Sequence, residues 1–217
     1  MPSLMKFSYK LFVHIRSLVI VIALFGFTDN ARASVDHFSL DEVIRGPAPL
    51  TAEEAKRIES GEAIFRSTER NLLGGLGIIF VNAQPERVFS VFTDYSHYAE
   101  FMPQAREAKI HETDEIATRL SAIYKSTWPF ADVTIEAVNV HDRTNPARLR
   151  MAWKTISTNM KSSRGWWIAE PYKDGTIVYH ENLFDLNWIP ISLARSQGRQ
   201  RILDTLVAVK KRSETLR

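Results

Sequence analysis

The sequence predicts an α+β fold in which a curved antiparallel sheet wraps around a long C-terminal helix. Six β-prone runs separated by short turn sequences lie between residues 105 and 186, two short helical segments precede them, and a helical period returns after Pro190. Short connections between strands favour antiparallel hairpins. Because one helix cannot cover a flat sheet of that length, we expect the sheet to curl and to leave an apolar cavity against the helix.

Residues 1–33 have the pattern of a secretory signal peptide. Basic residues precede the ten-residue apolar core Leu18–Phe27, and Ala31-Arg32-Ala33 is an A-x-A site that predicts cleavage before Ser34. The alternative is an uncleaved N-terminal anchor, although ten apolar residues are few for a membrane span. The mature protein is therefore predicted to be periplasmic or otherwise extracytoplasmic.

The composition fits one globular domain and excludes several classes of protein. The 217 residues include no cysteine, which excludes a disulfide-stapled miniprotein and a Cys-ligated zinc module. Four of the 28 Lys and Arg residues, but only one of the 25 Asp and Glu residues, lie in the first 33 positions, so 24 charges of each sign remain. A neutral body gives no electrostatic reason to expect nucleic acid as a partner.

Residues 34–60 are predicted to be an N-terminal extension that contains one short helix. Two prolines and a glycine in Arg45–Pro49 interrupt regular structure. Thr51–Glu54 is a capping box, which marks the start of a helix. Thr51 is the predicted N-cap and Gly61 the stop.

Two apolar runs, Ala63–Phe65 and Ile78–Val81, follow the extension. The glycine-bearing stretch Leu73–Gly77 lies between them. A phosphate-binding loop would carry Lys and then Ser or Thr after its last glycine, and this sequence carries two isoleucines there. We therefore interpret the stretch as a strand connection or a bulge.

Pro85 is predicted to open a helix with an apolar stripe, and Asp94–Phe101 to form a second short helix that ends before Pro103. The strands are predicted over Ala105–His111, Ile116–Ser126, Val133–His141, Ala147–Thr155, Ser163–Glu170 and Thr176–Leu186. In the final helix, we expect Gly198, Ile202, Leu206 and Val209 to lie on one side.

Pro85–Pro103 has the pattern P-x-x-V-F/W, D-Y, Y, F-x-P, and a second segment runs from Gly165-Trp166-Trp167 through Ile189-Pro190 to the start of the last predicted helix. In these two segments the sequence resembles the helix pair and the last strands of the START-like helix-grip superfamily, and within it the polyketide cyclase/dehydrase and coenzyme Q-binding branch. The resemblance makes residues 61–213 a helix-grip ligand-binding domain and 214–217 a tail. It implies a hydrophobic tunnel that holds one apolar ligand, but it leaves function open among carriers, receptors and cyclases.

Aromatic residues in the strand-rich half indicate where a ligand would bind. Alternation places Trp153 on the inward face with Leu149 and Met151, whereas Trp166 and Trp167 must face opposite sides, in an order that the sequence leaves open. Core packing explains any one aromatic residue, and a cavity explains the group equally well. The predicted ligand-binding residues are Phe92, Tyr124, Phe130, Trp153, Trp166, Trp167, Tyr179 and His180.

In the last strand, either Tyr179 and Glu181 or His180 and Asn182 face the interior. A buried polar group there would anchor a quinone carbonyl or a lipid head group, or would form a satisfied cross-strand pair. Further candidates with less support are Arg119, Asp132 and Arg164.

The sequence contains no catalytic motif, and it predicts no catalytic residue, metal site or cofactor. The predicted function is binding or transport of a lipid or isoprenoid quinone, with release through movement of the last helix or of loops at Met102-Pro103 and 128–130. The alternative is a cyclase or dehydratase that acts on a polyketide-like substrate with His180, Glu181 or Tyr179. A third possibility is a partner-binding domain whose own tryptophans fill the cavity.

Residues 192–217 carry seven cations and two anions. One interpretation is a solvated helix face with cations near its C-terminal end. The other is transient docking on an anionic membrane surface, with each nearby cation contributing about 1 kcal/mol.

Overall fold

The computed structural model describes residue 35 and residues 37–68, 72–126, 131–185 and 191–215, with the backbone alone at 191–194. Val35–Arg217 forms one compact unit, and within its described residues an open antiparallel sheet is combined with helices. The predicted α+β class, with a curved sheet wrapped around the C-terminal helix, is confirmed.

The sheet contains eight strands in the order β1-β2-β8-β7-β6-β5-β4-β3, all paired antiparallel. The strands are β1 Ile64–Arg66, β2 Leu73–Val81, β3 Ala105–Thr113, β4 Ala117–Tyr124, β5 Val133–Asp142, β6 Leu149–Thr158, β7 Ser162–Tyr172 and β8 Gly175–Asp185. The six predicted runs from residue 105 onward are confirmed as β3 to β8, because their alternation and turn residues are local signals.

The helices are α1 Ala52–Glu59, α2 Pro85–Phe92, α3 Tyr98–Phe101 and α4 Ile191–Thr215, with 3₁₀ turns at Leu40–Glu42 and Tyr95–His97. The Thr51 hydroxyl accepts the Glu54 amide N–H, and the Glu54 carboxylate accepts the Thr51 N–H, so the capping box is confirmed. The second predicted helix is split into the Tyr95–His97 turn and α3.

The interpretation of Leu73–Gly77 as a connection or bulge is wrong, because β2 begins at Leu73 and pairs with β8 without interruption up to Val81. The glycines serve close packing instead. Gly74 has φ +101°, and a Cβ atom there would overlap the carbonyl oxygen of Asn182. A glycine required by a neighbouring strand has the same local sequence pattern as a turn glycine.

The inner face of the sheet packs against α2 and α4. Leu149, Met151 and Trp153 are buried on this face, as alternation predicts. The expected face of α4 is also found, since Ile202, Leu206 and Val209 are each at most 1% exposed. The inner face therefore supplies the walls of any ligand site.

The outer face of the sheet is covered by the N-terminal extension. Val35, Leu40, Val43, Ile44 and Ile58 are buried in one apolar cluster with outward residues of the sheet. Ion pairs fasten the edges of this contact: Asp41 with Arg150 at 2.9 Å, Glu42 with Lys154 at 2.6 Å and Glu54 with Arg66 at 2.6 Å. Because exposed pairs contribute little, apolar burial holds most of the extension in place.

Candidate functional site

A cavity of about 120 Å³ remains between the inner face of the sheet, α4 and the segment around α3. Most of its wall is apolar or aromatic, and polar groups come from β5, β7, β8 and α4. Its principal lining residues are Tyr95, Tyr98, Met102, Tyr124, Ala137, Asn139, Met151, Trp153, Ser163, Trp167, His180, Asn182 and Arg201.

The strand register brings the aromatic and polar lining residues into two neighbouring rows. In one row, Trp153 pairs with Gly165, which pairs with Asn182. In the next row, Met151 pairs with Trp167, which pairs with His180. Gly165 has no side chain, so the Trp153 indole lies across it: a Cβ atom there would overlap the ring. The glycine thus determines where this indole lies in the cavity wall.

His180 lies between two indole rings. Its ring stacks on Trp167 with 3.8 Å between centroids and on Trp153 with 5.8 Å. Burial lowers the pKa of His180 to about 3, because the charged imidazolium loses its hydration there. The imidazole is therefore neutral at ordinary pH, and its Nδ1 lies 3.3 Å from the carbonyl oxygen of Trp166.

A second histidine, His141, contacts a tyrosine of the cavity wall. Its Nε2 lies 2.7 Å from the Tyr95 hydroxyl, and the two rings stack with 5.8 Å between centroids. Burial, assisted by the positive charge of Arg143, lowers the pKa of His141 to about 4. Burial also raises the pKa of Tyr95 well above its usual value, so the pair consists of a neutral phenol and a neutral imidazole.

One end of the cavity is bounded by a cation. The Arg201 guanidinium on α4 donates to the side chain of Gln104 and, at 3.3 Å, to the carbonyl oxygen of Lys125. Burial lowers the pKa of Arg201 and raises the pKa of its neighbour Tyr124 to about 12. These bonds join α4 to the loop after α3 and to the end of β4.

Four of the eight predicted ligand-binding residues line the cavity: Tyr124, Trp153, Trp167 and His180. Phe92 lies behind this wall, with its ring stacked on Trp167 at 5.0 Å. Trp166 and Tyr179 lie on the outer face beneath the extension, so Trp167 is the inward member of the tryptophan pair. Phe130 lies outside the described residues, as do Trp128 and Trp188.

The remaining polar candidates lie away from the cavity. Arg119 pairs with Glu136 at 2.6 Å, and Asp132 pairs with Arg106 at 2.6 Å. Arg164 and Glu181 lie on the outer face near the extension, beside Glu42 and Lys154. Of the three residues considered for catalysis, only His180 therefore reaches the cavity.

Sequence reasoning missed Tyr95, Tyr98, Asn139 and Arg201 as lining residues. Alternation with Ala137 places Asn139 on the inner face, so this signal was present in the sequence. Tyr95 and Tyr98 belong to the family-like helix pair, but nothing local shows which of its side chains point toward the sheet. The position of Arg201 depends on how α4 lies across the sheet.

The described residues form neither a metal-binding cluster nor a membrane-spanning helix. No group of three or more His, Asp and Glu side chains is arranged to hold a metal ion in this part of the chain. None of its helices combines the length and apolar character that crossing a membrane requires.

Comparison with known sequences identifies one family. The family model described as polyketide cyclase / dehydrase and lipid transport matches residues 81–210, which include α2, β3 to β8 and most of α4. No curated protein matches the chain in sequence.

Similar solved structures have the same fold at low sequence identity. A STAR-related lipid transfer protein from Xanthomonas axonopodis is 15% identical with a TM-score of 0.62, and the match covers 70% of this chain and 92% of that one. The Zhui aromatase/cyclase from a Streptomyces species is 16% identical with a TM-score of 0.54, over 64% and 92%. The lipid transfer and protein localization domain of human StarD13 is 12% identical with a TM-score of 0.55, over 78% and 100%.

Proposed function

Because the chain belongs to the polyketide cyclase/dehydrase and lipid transport family, we propose that it binds a hydrophobic small molecule, such as a lipid or an isoprenoid quinone, in the cavity beneath α4. The observation that carries this proposal is the cavity itself. It is lined by Trp153, Trp167, Met151 and the tyrosines of the α3 segment, and it has polar atoms at a few positions. Apolar walls with a few polar groups are typical of small-molecule sites.

The size of the cavity limits what enters without rearrangement. An engineered apolar cavity of about 150 Å³ binds benzene, so the cavity of about 120 Å³ accommodates roughly one six-membered ring. Covering about 200 Å² of such a ring contributes roughly 5 kcal/mol before the costs of association. A longer lipid or a quinone tail is too large for this volume, so its binding requires the elements around the cavity to move, among them α4, which Arg201 joins to Gln104 and Lys125.

Replacing Ala137 with phenylalanine is expected to abolish binding by filling the cavity. Ala137 is 1% exposed on β5 and lines the cavity, so the new ring occupies the ligand's space. Titration with toluene, followed by tryptophan fluorescence, should show saturable binding to the wild type and an affinity at least about tenfold lower for the variant, a loss of about 1.4 kcal/mol.

The matched control is Ile156→Phe, which adds a ring on β6 at a position that is 56% exposed. It should bind toluene like the wild type. Circular dichroism of both variants establishes that they are folded. Equal affinities of the wild type and the Ala137→Phe variant, or no uptake by the wild type, would contradict binding in this cavity.

The proposal includes export to the periplasm and transient contact with an anionic membrane. Export is supported by the position of Val35, which is 3% exposed and is the first residue of the compact unit, just after the predicted cleavage site.

Membrane contact is supported by the charge of α4, although Lys210 and Arg212 pair with Glu214 and Glu100. Osmotic shock should release a protein with the mass of residues 34–217, and high salt should release any membrane-bound part. Retention in the cytoplasm, or in salt-washed membranes, would contradict this location.

Cyclase activity is the second candidate, and the Tyr95–His141 contact favours it. A phenol hydrogen-bonded to a neutral imidazole in the wall of an apolar cavity places two groups of the kind that general acid–base catalysis uses beside a bound molecule. This alternative requires turnover, so a cyclised product from a linear polyketide-like chain would support it. Recovery of the unchanged chain would leave binding as the function.

A further inference from the structure

One buried polar atom of the cavity wall has no hydrogen-bond partner among the described residues. It is Oδ1 of Asn182 on β8, two positions from His180 and on the same face of the strand. Other buried atoms without a partner are found in this part of the chain, but none of them belongs to a residue that lines the cavity. An unpaired buried acceptor is costly and is expected to find a donor.

The neighbouring polar groups also present acceptors. The Tyr95 hydroxyl and Nε2 of His141 share one hydrogen bond, and the tautomer of His141 decides which of them donates. In either tautomer the Tyr95 oxygen keeps at least one lone pair. Nδ1–H of His180 donates to the carbonyl oxygen of Trp166, which makes Nε2 of His180 an acceptor.

Several donors of the cavity wall are directed elsewhere. The Tyr98 hydroxyl donates to the carbonyl oxygen of Phe92 at 2.6 Å, and the Asn139 amide donates to the carbonyl oxygen of Thr118 at 3.3 Å. The Arg201 guanidinium donates to Gln104 and Lys125. The Asn182 side chain therefore offers an unpaired acceptor to an occupant of the cavity, while these donors are already engaged.

We propose that the ligand carries an O–H or N–H donor that binds Oδ1 of Asn182, on a ring that is otherwise apolar. This inference rests on the proposed binding function and narrows it. The ligand class is a phenol, a quinol or another ring alcohol, because such a group supplies the proton that Oδ1 of Asn182 lacks.

The test compares two one-ring probes on the full mature chain by isothermal titration calorimetry. In 4-methylphenol the ring oxygen carries a hydrogen, and in 4-methylanisole it carries a methyl group. The wild type should prefer 4-methylphenol, and the preference should fall about tenfold in Asn182→Leu, which keeps the size of the side chain but removes its acceptor. Because the preference is a ratio between two proteins, the difference in probe size cancels.

Tyr179→Phe is the matched control, since it removes a hydroxyl from the same strand on the outer face. It should keep the wild-type preference. Asn182→Ala, which also removes the acceptor, gives the same comparison if Asn182→Leu does not fold. A preference for 4-methylphenol that is unchanged in the variant at Asn182 would overturn this inference and leave the binding function standing. Failure of every probe to bind would instead overturn the proposed function.

Discussion

Gly165→Ala is expected to lower the free energy of unfolding by about 3 kcal/mol and to abolish ligand binding. Gly165 lies on β7 between Trp153 of β6 and Asn182 of β8. The added methyl group would overlap both the carbonyl oxygen of Glu181 and the ring of Trp153. Since the backbone of the central strands has little freedom to move, the indole must rotate into the cavity or β7 must separate from β8.

Gly46→Ala makes the same chemical change where space exists. The nearest atom to a Cβ there is Nη2 of Arg148 at 3.8 Å, an ordinary van der Waals distance. Its stability should stay within about 0.5 kcal/mol of wild type, as for most surface substitutions. Urea unfolding of both variants measures the change in stability, and toluene titration measures the change in ligand binding. If Gly165→Ala unfolds at the same urea concentration as Gly46→Ala, the placement of Trp153 over Gly165 is wrong.

The elements of the fold were predictable because their signals are local. Pro85 at the start of α2, the capping box of Thr51 and Glu54, and the alternation of Leu149, Met151 and Trp153 each follow from the chemistry of neighbouring residues. The glycines of β2 were misinterpreted for the converse reason. The requirement at Gly74 comes from Asn182, which lies far away in sequence and becomes its neighbour only when β2 pairs with β8.

The candidate site was less predictable because it depends on the register in which neighbouring strands pair. The sequence requires Trp166 and Trp167 to face apart, but only the pairing of Met151 with Trp167 assigns the inward side. In the same way, the pairing of His180 with Trp167 shows that His180 and Asn182 face the interior, whereas Tyr179 and Glu181 face outward. The extension was predicted as a segment, whereas its burial of Trp166 and Tyr179 on the outer face was not.

The stability of the fold is expected to fall as the pH decreases from about 6.5 to 4.5, because two buried histidines resist protonation. In the folded chain the pKa of His180 is about 3 and that of His141 about 4, against 6.5 when exposed. Below pH 6.5 the unfolded chain therefore binds more protons than the folded chain, so acid favours unfolding. Each pH unit costs up to about 1.4 kcal/mol per histidine, which gives at most about 5 kcal/mol over this window.

Among the described residues, the other groups with a shifted pKa act outside this window or in the opposite direction. Hydrogen bonds hold the pKa of Glu54 and of Asp114 at about 2, so their stabilisation is lost only as the pH falls below about 4.5. Asp94 raises the pKa of the exposed His97, which acts in the opposite direction because its protonated form is favoured in the folded chain. The decline between pH 6.5 and 4.5 therefore reports on His141 and His180.

Two substitutions isolate the contribution of each histidine. His180→Phe keeps a flat ring between Trp153 and Trp167 and removes the titrating nitrogens. His141→Asn keeps a hydrogen-bonding group beside the Tyr95 hydroxyl. Urea unfolding at several pH values gives the free energy of unfolding as a function of pH. Between pH 6.5 and 4.5 its slope should be about half the wild-type slope in each single variant and almost zero in the double variant. A wild-type free energy of unfolding that stays constant over the window would mean that neither imidazole is buried in its neutral form.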